Sequence, residues 1–571
     1  MAVRYVLSMP EPHTHLLHVR AELRGFTGAV RLAMPVWTPG SYLVREFSRH
    51  VQDVVADGFV RRLDKRAWEV ACAGEVTCVS WRVYANEPSV RTNHLDGSHA
   101  FVASAATFMQ VEGWPGSYTV AVEPPPGWRV YTPLPEVGDA YHAADFDTLV
   151  DAPIEVGPHE ELTFTAAGAP HRFVLAGDGV LDREALLRDV PRIVEEAASL
   201  FGGVPYERYL FILLAMQGLR GGLEHLDSCV LAWGALDFAP KRRWEEFLRL
   251  VAHEHFHAWN IKRIRPAVLG PFDYGGEAYT RTLWLHEGGT VYYDGVIPVR
   301  AGVVSVKTWL AELGDSIKAL ESTPGRLHMS AGESSMAAWV KLYRRDEHSR
   351  NSTISYYLKG ELICLLLDQA LRERSGGARC LDDVLRHLYA LTAPPKPGYD
   401  EGRLPALIAE ATGVDVSELL ARWVDGTDEL PIDEALAWFG LQVTRGHKKD
   451  DGEGAWLGAD LATREGRLVV AGVPEGSPAW RDGLYVDDEV VAVDGWRVDA
   501  ARLQKRLELA AAGQVVEVTV ARRERLVAVT VTLGQRPPDE VKVTPRADAT
   551  EEHRARFQAW LGQPFPGGAA S

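Results

Sequence analysis

The segment His253-Glu254-His255-Phe256-His257 holds the most specific chemistry in the chain. On a helix, positions four apart share a face, so the imidazoles of His253 and His257 can converge on one metal ion. Glu254 projects beside that pair, close enough to act as a general base on a metal-activated water without being a ligand. His255 points away and reads as structural. Zinc held in this way needs a third protein ligand and an open position. Further along the chain comes Leu283-Trp284-Leu285-His286-Glu287-Gly288-Gly289, in which Glu287, thirty positions after His257, is a carboxylate set in an otherwise apolar stretch and needs a partner if buried. His253, His257 and Glu287 are therefore the expected ligands of one Zn²⁺ per chain, with His286 as the rival to Glu287. Asp294, two turns after Glu287, is placed to orient a ligand imidazole from behind.

Two further segments have the composition for handling a substrate. Gly221-Gly222-Leu223-Glu224-His225 follows an apolar run; its glycines would admit a substrate backbone, and Glu224 would hold an ammonium group. Taken alone, a Gly-Gly turn before a capping Glu explains it equally well. Tyr356-Tyr357-Leu358-Lys359-Gly360 offers a phenol that can donate to a developing oxyanion, against the plainer reading of a tyrosine pair packed at a helix start. The cations Lys262, Arg263 and Arg265 are read as a solvated helix end that complements the helix dipole, with contact to a substrate carboxylate as the alternative.

These groups need scaffolding, and the patterning divides it into blocks. At 571 residues the chain exceeds one core. The first third alternates in β fashion, as in Leu17, Val19, Ala21 and Leu23, or Val79, Trp81, Val83 and Ala85. From about Leu181 the period turns helical, with helices expected over 183–200, 243–260, 281–294 and 356–372 and a strand over 209–214. A charged, Gly-containing linker at 446–454 then leads to short strands (467–470, 489–493, 515–520, 526–533) around one helix at 500–511. A helix at 551–560 and a Gly/Ala/Ser end follow.

The net charge of −17 argues against nucleic-acid or anionic-membrane partners, which reward clustered Lys and Arg. No run of about 18 apolar residues is present, nor a basic start followed by an apolar stretch. Five scattered cysteines without zinc-finger spacing fit free thiols in a reducing cytoplasm.

The chain resembles the glycyl aminopeptidases, gluzincin metallopeptidases that carry a C-terminal PDZ domain. The resemblance rests on Trp37-Thr38-Pro39-Gly40-Ser41-Tyr42, on the zinc helix continuing into Trp259-Asn260-Ile261-Lys262-Arg263-Ile264-Arg265-Pro266, and on Trp284 to Gly288. It implies a thermolysin-like catalytic fold and removal of small N-terminal residues. The more distant alanyl and leucyl aminopeptidases carry Gly-x-Met-Glu-Asn, to which Gly221 to His225 is similar, so Glu224 inherits the grip on the free amine. Their catalytic Tyr stands two residues before Lys-Gly, which implies Tyr357 rather than Tyr356. Trp456-Leu457-Gly458-Ala459, Gly476-Ser477-Pro478-Ala479 and Asp488-Glu489-Val490 are similar to PDZ sequences, implying capture of a peptide C-terminus by strand addition.

The expected architecture is multidomain α+β. It comprises an N-terminal β-sandwich (1–167), a thermolysin-like α+β zinc peptidase domain with a helical extension (168–445), a PDZ domain (446–538) and a C-terminal tail (539–571). The expected activity is a zinc aminopeptidase preferring Gly or Ala, acting on peptides with a free N-terminus in the cytoplasm. The alternatives are a PDZ-guided endopeptidase and a non-catalytic peptide-binding protein on the same fold.

Overall fold

The computed structural model describes residues 1–177, 179–448 and 454–567. The centre of the expected 446–454 linker and the last four residues of the Gly/Ala/Ser end lie outside the described residues. The chain divides into two compact units, Met1–Thr280 with Thr290–Val304 and Leu381–Thr412, and Arg281–Gly289 with Ser305–Cys380 and Gly413–Ser571.

The first unit opens with β structure. A seven-stranded sheet and a four-stranded sheet are built from the strands between Ala2 and Ala143. Their alternating inward residues, among them Tyr5, Leu17, Val19, Leu32, Trp68 and Trp81, share one core. Leu16–Arg24 and Val76–Tyr84 pair antiparallel, setting Val19 opposite Trp81 and Ala21 opposite Val79, which is the alternation read from the sequence. A smaller four-stranded sheet orders Arg129–Tyr131, Ile154–Gly157, Ala100–Val102 and His94–Leu95.

A five-stranded mixed sheet follows, in the order Glu160–Ala166, Ala169–Ala176, Tyr209–Ala215, Ser228–Trp233, Gly221–Glu224. Tyr209–Ala215 lies parallel to both neighbours and is buried at every position, which is why it reads as an unbroken apolar run rather than an alternation. Gly221–Glu224 is added antiparallel to Ser228–Trp233 at one end of this sheet. Helix Arg183–Phe201 is capped by Asp182, whose side chain accepts from Ala185 N–H, and stops at Gly202 in the left-handed region. Helix Lys241–Phe256 buries Phe247, Leu248, Val251, Ala252 and Phe256, while Arg242 and Arg243 pair with Glu246 on its charged face.

In the second unit, the helix expected over 281–294 begins later and differently. Trp284–Gly288 is a turn of π-helix that runs into helix Gly289–Arg300, most of which belongs to the first unit. Helix Tyr356–Arg374 is buried almost all round, so its apolar residues form no stripe. A five-strand path, Asp460–Arg464, Arg467–Gly472, Glu489–Val493, Val515–Arg522 and Arg525–Thr532, holds its own core with helix Ala500–Leu509. Leu441–Gly446, which ends at the first residue of the expected linker, pairs antiparallel with Glu540–Pro545, so the strands entering and leaving this module are bonded together. The module docks through Asn351, which donates to Val473 O at 2.9 Å and accepts from Glu475 N–H at 2.8 Å. Helix Glu551–Leu561 buries Trp560 against Phe439 and Trp309. All five cysteines are free.

Candidate active site

The last turn of helix Lys241–Phe256 places His253 with its Nε2 3.1 Å from His257 Nε2. Each ring is held from its other nitrogen. His253 Nδ1 lies 2.9 Å from Asp294 Oδ2, and His257 Nδ1 lies 2.7 Å from Asn260 O. Asp294 is fixed in turn by Arg249, whose Nε donates to Oδ1 at 2.9 Å. With both Nδ1 atoms engaged, the two Nε2 atoms are directed at one point. His255 faces the opposite way, fully buried, with Nε2 2.6 Å from Tyr206 Oη; burial pushes its pKa well down, as expected of a neutral structural imidazole.

Glu254 and Glu224 are both buried, and with His257 they form a group whose ligand-bearing atoms lie within 4.8 Å of one another. Two glycines make the space for these carboxylates. A Cβ on Gly222 would fall 2.2 Å from Glu254 Oε1, and one on Gly40 would fall 2.6 Å from Glu224 Oε1. Gly40 also has φ +84°, so it is required twice over. Glu224 further lines a cavity of about 20 Å³ with Trp37, Pro39, Tyr42, Ile261 and Phe272 among its walls. Trp37, Gly40 and Tyr42 entered the sequence reading only as carriers of a resemblance. Composition and periodicity hold no signal that this β-domain turn reaches the site.

Glu287, on the π-turn, is buried. His286 is equally buried, so burial alone does not separate the two. The glycines after Glu287 and Lys359 explain each other. A Cβ on Gly288 would lie 2.5 Å from Gly360 Cα, and one on Gly360 would lie 2.3 Å from Trp284 O. The two backbones therefore touch, which brings Glu287 close to Tyr357. Tyr357 is half-buried, with Oη 3.2 Å from Tyr343 Oη, whereas Tyr356 is fully buried. Burial, and then the negative charge of Glu287, hold the Tyr357 phenol well above its ordinary pKa, so it stays a donor at neutral pH.

The cationic cluster departs from the sequence expectation. Lys262 and Arg263 are not solvated: their side chains are 9% and 8% exposed. Lys262 Nζ lies 2.5 Å from Asp151 Oδ1, and Arg263 donates to Leu226 O and Ala258 O, each at 2.8 Å. Burial alone would raise the Asp151 pKa, but Lys262 and His225 outweigh it and hold the carboxyl down at about 2. These cations pin the loop after Glu224 to the end of the helix that carries His253 and His257. The sequence indicates three cations but not the buried acceptors waiting for them.

A helix-borne His pair backed by a carboxylate, with a buried Glu beside it, on a mixed sheet with an antiparallel edge strand, is the arrangement of a metallopeptidase with a thermolysin-like catalytic domain. The chain belongs to the M61 glycyl aminopeptidase family: residues 246–363 match that family, residues 4–158 match the Peptidase M61 N-terminal domain, and residues 455–533 match the PDZ domain. Among solved structures, an aminopeptidase N family protein from Idiomarina loihiensis is similar at 28% identity and TM-score 0.91, covering 98% of this chain and 100% of that chain. An M1 zinc metallopeptidase from Deinococcus radiodurans shares 15% identity over 76% of this chain and 95% of that chain, with TM-score 0.49. Yeast LTA4 hydrolase shares 14% over 76% and 68%, with TM-score 0.47. No curated protein matches the chain in sequence. No described helix is long and apolar enough to cross a membrane.

Proposed function

We propose that this metallopeptidase is a zinc aminopeptidase that removes Gly or Ala from peptides with a free N-terminus. The observation that carries the reading is the buried Glu224 carboxylate, grouped with Glu254 and His257 and lining a cavity with room for little more than one water molecule. A buried carboxylate at that position suits an α-ammonium, and so small a cavity suits a hydrogen or a methyl as the side chain beside it.

The donor set fits zinc. Nitrogens bonded to one tetrahedral ion at about 2.0–2.1 Å stand roughly 3.3 Å apart, close to the 3.1 Å between the two Nε2 atoms. His253, His257 and Glu287 would hold the ion, which when bound supplies Lewis acidity at the scissile carbonyl and makes water a better nucleophile. Glu254 takes the proton of the attacking water and returns it to the leaving amine. Tyr357 donates its O–H to the carbonyl oxygen as negative charge develops there. Glu224 pairs with the α-ammonium, and Gly221 and Gly222 let the substrate backbone lie along the edge strand.

Within the PDZ domain, Asp460–Arg464 ends its sheet path, and a peptide C-terminus would add there beside the Trp456 to Ala459 loop. Five free thiols favour a cytoplasmic site of action.

Metal analysis joined to a reporter screen tests the reading. Zinc and activity should leave together on chelation, Glu287→Ala should weaken zinc binding and His286→Ala should not. Gly- and Ala-reporters should exceed Leu-reporters, and N-acetylated peptides should resist. Efficient internal cleavage of blocked peptides would replace the proposal with the endopeptidase reading.

A further inference from the structure

A second cluster of histidines lies in the β-rich part of the first unit, and the chemistry above makes no use of it. Glu155, on strand Ile154–Gly157, is completely buried. Its Oε1 lies 2.8 Å from His99 Nδ1 and 2.7 Å from His159 Nε2, while Oε2 is buried with no hydrogen-bond partner. A carboxylate taken out of water costs several kcal/mol unless a positive charge compensates it, and the two neighbours in bonding distance are imidazoles, which are neutral by default.

The surroundings are built around these rings. Glu155 pairs with Phe101 across one edge of strand Ala100–Val102, and His94 pairs with Phe101 across the other. That register, with His99 two residues before Phe101, sets His94, His99 and Glu155 on one face. A Cβ on Gly157 would fall 2.3 Å from His159 Nε2, so glycine is what allows the His159 ring to fold back onto Glu155. Asp96 Oδ1 accepts from Ser98 N–H at 2.7 Å and Ser98 O–H at 2.6 Å, fixing the turn that delivers His99. Its Oδ2 lies 3.2 Å from His94 Nε2, and His94 Nδ1 is buried without a partner. A cavity of about 480 Å³, lined by Ser98, His99, Pro158 and His159 among others, connects the cluster with solvent.

We propose that His99, Glu155 and His159 form a second metal site, separate from the catalytic one and selective for a borderline divalent cation such as Zn²⁺. The ligand-bearing atoms of the three residues already lie within 4.8 Å of one another. Two imidazoles and one carboxylate suit Zn²⁺, Co²⁺ or Ni²⁺ and disfavour Ca²⁺ and Mg²⁺, which take oxygen ligands. The cation supplies the charge that Glu155 lacks and takes up its orphaned oxygen, and the cavity leaves a coordination position for water. The site ties the turn at 96–99 to the segment at 155–159, a structural role that needs no chemistry. The rival explanation is a proton: burial disfavours charge on His99, but the bond to Glu155 and its negative charge outweigh this and raise the His99 pKa. A proton on His99 neutralises Glu155 without a metal.

Full-length protein stripped with a chelator, dialysed and reloaded with ZnCl₂ separates the two. Mass-spectrometric metal analysis should find two zinc ions per chain in the wild type and one in both Glu155→Gln and His159→Ala. Should those variants fail to fold, anomalous scattering at the zinc edge from reloaded wild-type crystals decides the question, with a peak expected among His99, Glu155 and His159. No peak there, or one among His94, Asp96 and His99 instead, would overturn the proposal, as would wild-type protein that takes up zinc only among His253, His257 and Glu287. Because the two positions are read independently, failure here leaves the catalytic reading untouched.

Discussion

Gly222→Ala is the substitution in which the structure separates catalysis from stability most sharply. The new methyl carbon would fall 2.2 Å from Glu254 Oε1, 2.3 Å from Cδ and 2.5 Å from Cγ. Ordinary carbon–oxygen and carbon–carbon contacts lie at about 3.5–4.0 Å, so the carboxylate must retreat by more than an ångström. The residue displaced is the free end of a side chain, which can rotate away at small cost in stability. It is also the proposed base, and a misplacement of about 1 Å at a reacting group costs on the order of 10²-fold in rate, close to 2.7 kcal/mol of barrier. Gly222→Ala should therefore keep its zinc and its melting temperature within a few degrees while kcat falls about a hundredfold. Gly221→Ala is the control. Nothing lies within 4 Å of its added Cβ, but its φ of +123° is one that side chains avoid. It should lose about 1–3 kcal/mol of stability, and because Gly221 borders the substrate backbone and not Glu254, its kinetic cost should appear in KM more than in kcat. Thermal melts, metal analysis and steady-state kinetics on the two variants provide the readout. A Gly222→Ala enzyme with wild-type turnover would refute the placement of Glu254 as the base.

Tyr357→Phe should lower kcat by about 10²–10³ with KM little changed, while Tyr356→Phe, removing a fully buried hydroxyl, should act mainly on stability; the reverse ranking in steady-state kinetics would move the oxyanion role to Tyr356. Glu224→Ala should cost roughly 10- to 150-fold in kcat/KM for free peptides and narrow the gap to N-acetylated ones, as a competition assay would reveal. Asp294→Ala releases His253 Nδ1 and should weaken zinc affinity about 10- to 100-fold in a chelator titration. Lys359 is buried and its Nζ has no hydrogen-bond partner; burial lowers its pKa from 10.5 to about 8. The unfolded chain thus binds the extra proton between about pH 8 and 10.5, stability contributed by this group rises with pH across that window, and the penalty is complete below pH 8. Lys359→Met should raise the denaturation midpoint at pH 7 and flatten that rise, and a lower midpoint would show that the ammonium is stabilising.

Much of the architecture is legible in local pattern, because period and spacing are properties of neighbouring residues. The alternation of Leu17 to Leu23 places a strand, and the four-residue interval between His253 and His257 places two imidazoles on one helix face wherever that helix packs. The PDZ strands are similarly marked by short β-branched runs between glycine turns. Helix Tyr356–Arg374 was legible by length and propensity but not by stripe, since it is enclosed on nearly every side. The π-turn at Trp284–Gly288 left no mark in the sequence, because its extra residue per turn is imposed by packing and not by composition.

The residue types of the candidate site were set by sequence alone: a helix-spaced His pair with Glu254 between, an acidic residue before two glycines, a tyrosine before Lys-Gly. Only the tertiary structure decided what each one meets. Asp294 lies 41 positions from His253, Gly40 lies far from Glu224 in the chain, and Lys262 finds Asp151 across a separation of 111. Gly288 and Gly360 are ordinary glycines until two backbones touch at them. Whether a carboxylate is buried, paired or orphaned depends on which distant elements close around it, and no local period encodes that.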